Sequence, residues 1–227
     1  MKEEVSLIKL MKENRFDLVR LLVCCNDQKD FEYDPFEQDE EGLFALEYAI
    51  IYGKEGIAVA LINRVPHCSF VYDHGEGNRP SPAGLAIKFH RDKVLAKMIE
   101  DQSFSDKPKM YFVHSCVYKD IPLLMYAVMY KNMPAVKMLL EAGAQIGIGQ
   151  RDGTNVLSVA AIRAVGHGEH SNQNLIFREL LRNLAGHSAK EKIISRAIED
   201  LQKYAQTLED PSAISKVEMI LESARMY

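Results

Sequence analysis

The stretch Val136-Lys137-Met138-Leu139-Leu140-Glu141-Ala142-Gly143-Ala144 sets a bulky apolar doublet near the end of a helix and a glycine where a left-handed residue would close it. The doublet recurs along the chain as Leu21-Leu22, Leu61-Ile62, Met98-Ile99, Leu139-Leu140 and Leu180-Leu181, in steps of 40, 37, 41 and 41 residues. Steps of that size mark a stacked array, in which each unit buries its apolar face only against the next.

In front of Val136 the same unit reads Pro122-Leu123-Leu124-Met125-Tyr126-Ala127-Val128, then Lys131-Asn132. The whole unit resembles the ankyrin repeat, whose pattern in one-letter code is D-x-x-G-x-T-P-L-H-x-A-A-x-x-G-H-x-x-x-V-x-x-L-L-x-x-G-A. Aligned on the first-helix Ala, the other units are Gly42-Leu43-Phe44-Ala45-Leu46-Glu47-Tyr48-Ala49 with Gly53, Ser81-Pro82-Ala83-Gly84-Leu85-Ala86 with Val94, and Gly153-Thr154-Asn155-Val156-Leu157-Ser158-Val159-Ala160-Ala161. The first unit keeps only a second half, Asn14 to Leu22, and reads as an N-terminal cap. The Thr-Pro-Leu-His tetrapeptide survives nowhere intact, its His replaced by Glu47, Gly84, Met125 and Ser158. Every step exceeds the roughly 33 residues of the family. The resemblance implies an all-α, ankyrin-like helical-hairpin solenoid of about five degenerate units with long loops. Helical hairpins of a longer period are the alternative.

Packing supplies a reason for the pattern. The first helix of each unit carries small residues (Ala49, Ala86, Ala127, Ala160 and Ala161) that admit a close neighbour, and the second carries the doublet that fills the space between layers. Gly53 follows the first helix of unit two.

Beyond the last doublet, Ser188-Ala189-Lys190-Glu191 has capping-box spacing, and Ile194, Ala197, Ile198, Leu201, Tyr204, Ala205 and Leu208 follow one helical stripe. Asp210-Pro211 breaks that helix and starts another, with Ile214, Val217, Leu221 and Ala224 on one face. The division predicted is a repeat array over 1–187 and a helical cap over 188–227. A tail that binds a partner or dimerises is the rival reading.

The chain has 227 residues, 47% of them apolar, and a net charge of −4. It lacks the basic balance on which nucleic-acid binding normally rests. No run of about 18 apolar residues is present, and the opening Met-Lys-Glu-Glu-Val-Ser is not a secretory leader. A cytoplasmic monomer is expected, without membrane insertion. Cys24, Cys25, Cys68 and Cys116 are spread over different units and read as reduced thiols.

Catalysis and metal binding have few candidates. His67-Cys68 and His114-Ser115-Cys116 place imidazoles beside thiols, but neighbours in sequence usually point apart. His167-Gly168-Glu169-His170 offers metal-ligand types in a glycine-rich insertion that reads as a solvated loop. No phosphate-cradling loop or nucleophile elbow occurs. The expectation is no enzyme, no cofactor and no metal; an effector enzyme working from the insertions around His114 and Cys116, or His167 and His170, is the alternative.

The resemblance implies a partner-binding concave face. After the Ala pair the pattern aims two residues into that groove, here Ile51-Tyr52, Lys88-Phe89, Met129-Tyr130 and Ile162-Arg163. Tyr, Phe and Arg are the side chains that dominate interface hot spots. The hairpin tips add Glu40 and Glu41, from the acidic run Glu37 to Glu41, and Arg151; Tyr118 and Lys119 come from the insertion before unit four. Long loops folded over the groove would instead make these rings interior packing. The function expected is a non-catalytic scaffold for another protein. Its degenerate texture is similar to that of ankyrin effectors of intracellular bacteria, which act in the host cytoplasm.

Overall fold

The computed structural model describes residues 3–24, 31–64, 80–101, 121–167, 170–209 and 211–226. The chain divides into two compact units, Met1–Lys109 and Met110–Tyr227. In the first, helices come in pairs: α1 (Leu7–Lys12) with α2 (Phe16–Cys24), α3 (Ala45–Ile51) with α4 (Glu55–Arg64), and α5 (Pro82–Lys88) with α6 (Asp92–Glu100). First helices stack on first helices, α1 on α3 on α5, and second on second, α2 on α4 on α6. A two-residue parallel pairing joins β1 (Glu3–Glu4) to β2 (Phe31–Glu32).

The second unit repeats the scheme with α7 (Leu123–Met129) and α8 (Met133–Glu141), then α9 (Val156–Val165) and α10 (Asn172–Asn183), followed by α11 (Lys190–Ala205) and α12 (Pro211–Met226). Here α7 and α11 both pack on α9, α8 packs on α10, and α12 lies against α9 and α11. Thus α11 occupies the place of a further first helix. The alanines expected at the close approaches, Ala49, Ala86, Ala127, Ala160 and Ala161, are all at most 2% exposed.

Each first helix needs its leading N–H groups satisfied, and three of the units bring a side-chain oxygen to the helix start in two different ways. At Phe44 the Glu47 carboxylate reaches back to accept the Phe44 N–H at 2.9 Å. Ser81 Oγ accepts from the Gly84 N–H at 3.2 Å, ahead of Pro82 at the first helical position. Asn155 Oδ1 accepts from the Ser158 N–H at 2.9 Å. Loss of the tetrapeptide therefore leaves these helix starts held, by Ser81 and Asn155 capping the third N–H of α5 and α9 and by Glu47 reaching back to the residue before α3.

Four of the first helices, α1, α3, α5 and α7, also end alike. Asn14, Gly53, His90 and Lys131 all have positive φ, between 54° and 71°. Behind each, a backbone N–H closes a six-residue turn: Arg15 to Leu10 O, Lys54 to Ala49 O, Arg91 to Ala86 O and Asn132 to Ala127 O, at 2.8–3.0 Å. Gly143, at φ 94°, closes α8 in the same way, with the Ala144 N–H donating to Leu139 O. Arg91 adds a tie between pairs, its Nε donating to Ile50 O at the end of α3 at 3.1 Å.

Several expectations need correction. The first unit is a full helix pair, since α1 buries Leu7, Ile8 and Met11; its six residues are too short for a periodic signal. Within α2 the buried positions are Val19 and Val23, and Leu21 is 48% exposed. In α8, Leu139 is fully buried and Leu140 only half-buried. Ser188 makes no capping box: α11 begins after Ala189, whose N–H donates to His187 Nδ1 at 3.1 Å. Ile193, outside the expected stripe, is buried beside Ile194, Ala197 and Leu201.

Candidate functional site

The residues following the first-helix alanines lie where the helices stop. Ile51, Lys88 and Met129 are the last helical residues, and Tyr52, Phe89 and Tyr130 are the C-caps of α3, α5 and α7. In the fifth unit α9 runs on to Val165, so Arg163 is still inside the helix. Lys88 is exposed, Tyr52 is 49% exposed, and Ile51, Phe89, Met129, Tyr130, Ile162 and Arg163 are half-buried.

In the first unit Tyr52 belongs to a cluster of three rings. Its centroid lies 6.1 Å from that of Tyr48, nearly parallel at 11°, and 5.4 Å from that of Phe16 at 53°. Lys54 Nζ stands 4.4 Å from the Phe16 centroid and Lys12 Nζ 5.7 Å from that of Tyr48, so cations bracket the rings. Phe16, Arg20, Lys54 and Ile57 also line an open cleft of about 650 Å³ beside it.

Beneath this cluster sits Asp39. Its Oδ2 accepts from the Tyr48 hydroxyl at 2.6 Å and pairs with Lys12 Nζ at 3.1 Å; its Oδ1 accepts the Leu43 and Glu41 N–H groups at 2.8 and 2.9 Å. Burial opposes the charge, but the Tyr48 hydroxyl, the Leu43 N–H, Lys12 and the Glu41 N–H outweigh it and hold the carboxyl well below the usual carboxylate range. Burial, followed by the bond to Asp39, pushes the Tyr48 hydroxyl up. The acidic run is thus partly structural: Glu37 accepts from Ser6 Oγ at 2.5 Å, Asp39 is turned inward, and Glu40 and Glu41 are exposed.

The same tip geometry occurs in the second unit. Antiparallel bridges join Gln38 to Phe44 and Gly149 to Asn155, and the turns pass through Gly42 and Gly153, at φ 72° and 85°. Arg151 is exposed on the second tip. Tyr130 packs its ring 4.6 Å from the buried ring of Tyr126. His167 Nδ1 lies 3.0 Å from Arg163 O, and Asn174 Nδ2 donates to His167 O at 3.3 Å, which ties the described part of the insertion to α9 and α10.

Tyr118, Lys119, His67, Cys68, His114, Cys116, Gly168 and Glu169 lie outside the described residues. Sequence reasoning missed Lys12, Phe16, Asp39, Tyr48 and Lys54. Phe16 follows Asn14 at the offset by which Glu55 follows Gly53, a register visible only once Asn14 is known to close a first helix. Among the described residues no helix is long and apolar enough to cross a membrane.

No family model matches the sequence, and no curated protein does. Solved structures do match the fold. The crystal structure of the ankyrin repeat protein EF0377 is similar with a TM-score of 0.64 at 21% identity, over 94% of this chain and 96% of that one. An ankyrin repeat domain from Acinetobacter baumannii AYE is similar with a TM-score of 0.64 at 18% identity, over 96% of this chain and 97% of that one. With first helices stacked on first helices, second on second, and the same left-handed closure in successive pairs, the chain has the ankyrin-repeat fold.

Proposed function

We propose that the chain is a non-catalytic scaffold that binds another protein through the ends of its first helices. The observation carrying this reading is Tyr52, 49% exposed on a base of two further rings, Tyr48 with Lys12 over it and Phe16 with Lys54 over it. A ring held in place by its neighbours loses few rotamers on docking, so its burial under a partner is retained as affinity. Ile51, Lys88 and Phe89 extend the surface in the first unit, with the exposed tip Glu40 and Glu41. Met129, Tyr130, Arg163 and the tip Arg151 form the matching set in the second, and Tyr118 and Lys119 complete the assignment. The scaffold acts as a monomer in the cytoplasm, that of a host cell if the chain is a secreted bacterial effector.

The test is recovery of a partner from lysate with the intact chain and with Tyr52→Ala. The substitution should weaken binding by about 1–3 kcal/mol, the range of interface hot spots, and shift the thermal midpoint little, since half the ring already faces solvent. A partner retained at unaltered affinity would remove Tyr52 from the interface. A large loss of stability without loss of affinity would make the ring core.

A further inference from the structure

The Asp39 side chain is 4% exposed, and a buried carboxylate is stable only where hydrogen bonds and a countercharge replace its water. The turn it sits in does not demand that cost. Oδ1 accepts the Leu43 and Glu41 N–H groups, but the tip is also closed by backbone bonds, from the Asp39 N–H to Leu43 O at 3.1 Å and from the Gly42 N–H to Asp39 O at 2.9 Å. The second unit closes its tip with the same two bonds and Gln150 in that place: the Gln150 N–H donates to Thr154 O at 2.9 Å and the Gly153 N–H to Gln150 O at 3.0 Å. What the carboxylate adds in the first unit is Oδ2, which takes the Tyr48 hydroxyl at 2.6 Å and Lys12 Nζ at 3.1 Å.

The group that meets Oδ2 goes with the exposed ring. The two bridges align Gln38 with Gly149 and Phe44 with Asn155, and in that register Tyr48 falls on Val159 and Tyr52 on Arg163. The tip without the carboxylate thus precedes a helix without the hydroxyl and without the ring. In the first unit all three occur together. Tyr48, 8% exposed, lies near-parallel to Tyr52 with its hydroxyl tied to the tip.

We propose that Asp39 is a positioning residue of the docking surface: through the Tyr48 hydroxyl it fixes the ring on which Tyr52 stands, without itself touching a partner. The inference rests on the reading of Tyr52 as a docking ring. Tip and rings then act as one rigid piece, and a ring held still keeps more of its burial as affinity. Lys12 supplies the countercharge that keeps the buried carboxylate ionised and accepting.

The test uses the intact chain with ¹³C-labelled tyrosine rings. In the parent chain the ring currents of Tyr48 and Phe16 displace the Tyr52 ring signals. That displacement should fall by about half or more in Tyr48→Phe, which keeps the ring and removes the hydroxyl, and in Asp39→Ala. Leu139→Ala, which weakens the second unit, should leave it unaltered below its melting midpoint, so that the change reports positioning and not lost stability. A partner recovered with the intact chain and lost with Tyr52→Ala should bind Tyr48→Phe about threefold more weakly or worse; equal affinity overturns the proposal. It is overturned too if the Tyr52 signals stay in place in both variants, whatever their thermal midpoints. Should Asp39→Ala fail to fold, Tyr48→Phe alone decides. A partner kept by Tyr52→Ala defeats the docking reading instead, and the ring signals still decide for or against Asp39.

Discussion

A residue such as Lys131 has no intrinsic reason to adopt φ 57°. The left-handed region costs an L-residue about 1–2 kcal/mol, whereas glycine enters it freely and loses roughly 0.5–1 kcal/mol in chain entropy. Lys131→Gly should therefore stabilise the fold by about 0.5–1 kcal/mol, seen as a higher urea midpoint. Gly53→Ala should do the reverse by about 1–2 kcal/mol, since φ is 71° and the new Cβ would lie 2.9 Å from the Arg91 guanidinium. Asp39 sets a second prediction at this scale. Its folded-state pKa lies below the unfolded value, so its stabilisation is fully present above about pH 4, the ordinary aspartate pKa, and is lost as pH falls from there toward the folded value. Urea midpoints measured from pH 7 down to pH 2.5 should show that loss in the parent chain. Asp39→Asn should be less stable at pH 7 and flatter below pH 4; an unchanged acid slope would deny Asp39 this role.

An element of the array is stabilised by what its doublet meets. Leu139 in α8 is fully buried, so Leu139→Ala should cost on the order of 2–5 kcal/mol through lost burial and a residual cavity. Leu21 in α2 is the contrasting case: it belongs to the same repeating doublet but is 48% exposed, and Leu21→Ala should stay within about 0.5 kcal/mol. Thermal unfolding of the two variants side by side checks both. Equal losses would mean that α2 buries the face expected from the repeat, with Leu21 in the core in place of Val19 and Val23. The helix starts carry a related lesson, because Ser81 and Asn155 cap the third N–H of their helices with chemically different oxygens, while Glu47 instead accepts from the residue before α3.

On the scale of the molecule, the expected cap over 188–227 can be put to the test within the second unit. There α11 and α12 lie on α9, and Asn155 Nδ2 donates to Ile193 O at 3.1 Å while Arg196 donates to Asp152 O at 3.1 Å. We propose that these helices serve as the terminal cap that stacked repeats require. Removing residues 188–227 should leave apolar surface of α9 uncovered and drive aggregation, read by size exclusion and by loss of a cooperative melt. A truncated chain that stays monomeric and equally stable would make the tail an independent element.

What the sequence by itself determined is whatever short-range pattern dictates. The doublet spacing, the first-helix alanines, Gly53 and Gly143 at helix ends, and the break before Pro211 were all legible, because period, steric size and backbone freedom belong to the residues themselves. Tertiary structure decided the rest. Lys131 closes a first helix as Gly53 does although its side chain gives it no preference for that turn, whereas Asn14 and His90 are residues that enter the left-handed region more readily. The choice of Val19 and Val23 over Leu21 depends on how α2 is rotated against α4, which doublet spacing does not encode. The ring cluster brings together Lys12 of α1, Phe16 of α2, Asp39 of the tip and Tyr48 and Tyr52 of α3 and its C-cap. Such a site has no local sequence signature, since its geometry arises only when α1, α2, α3 and the tip before it are packed against one another.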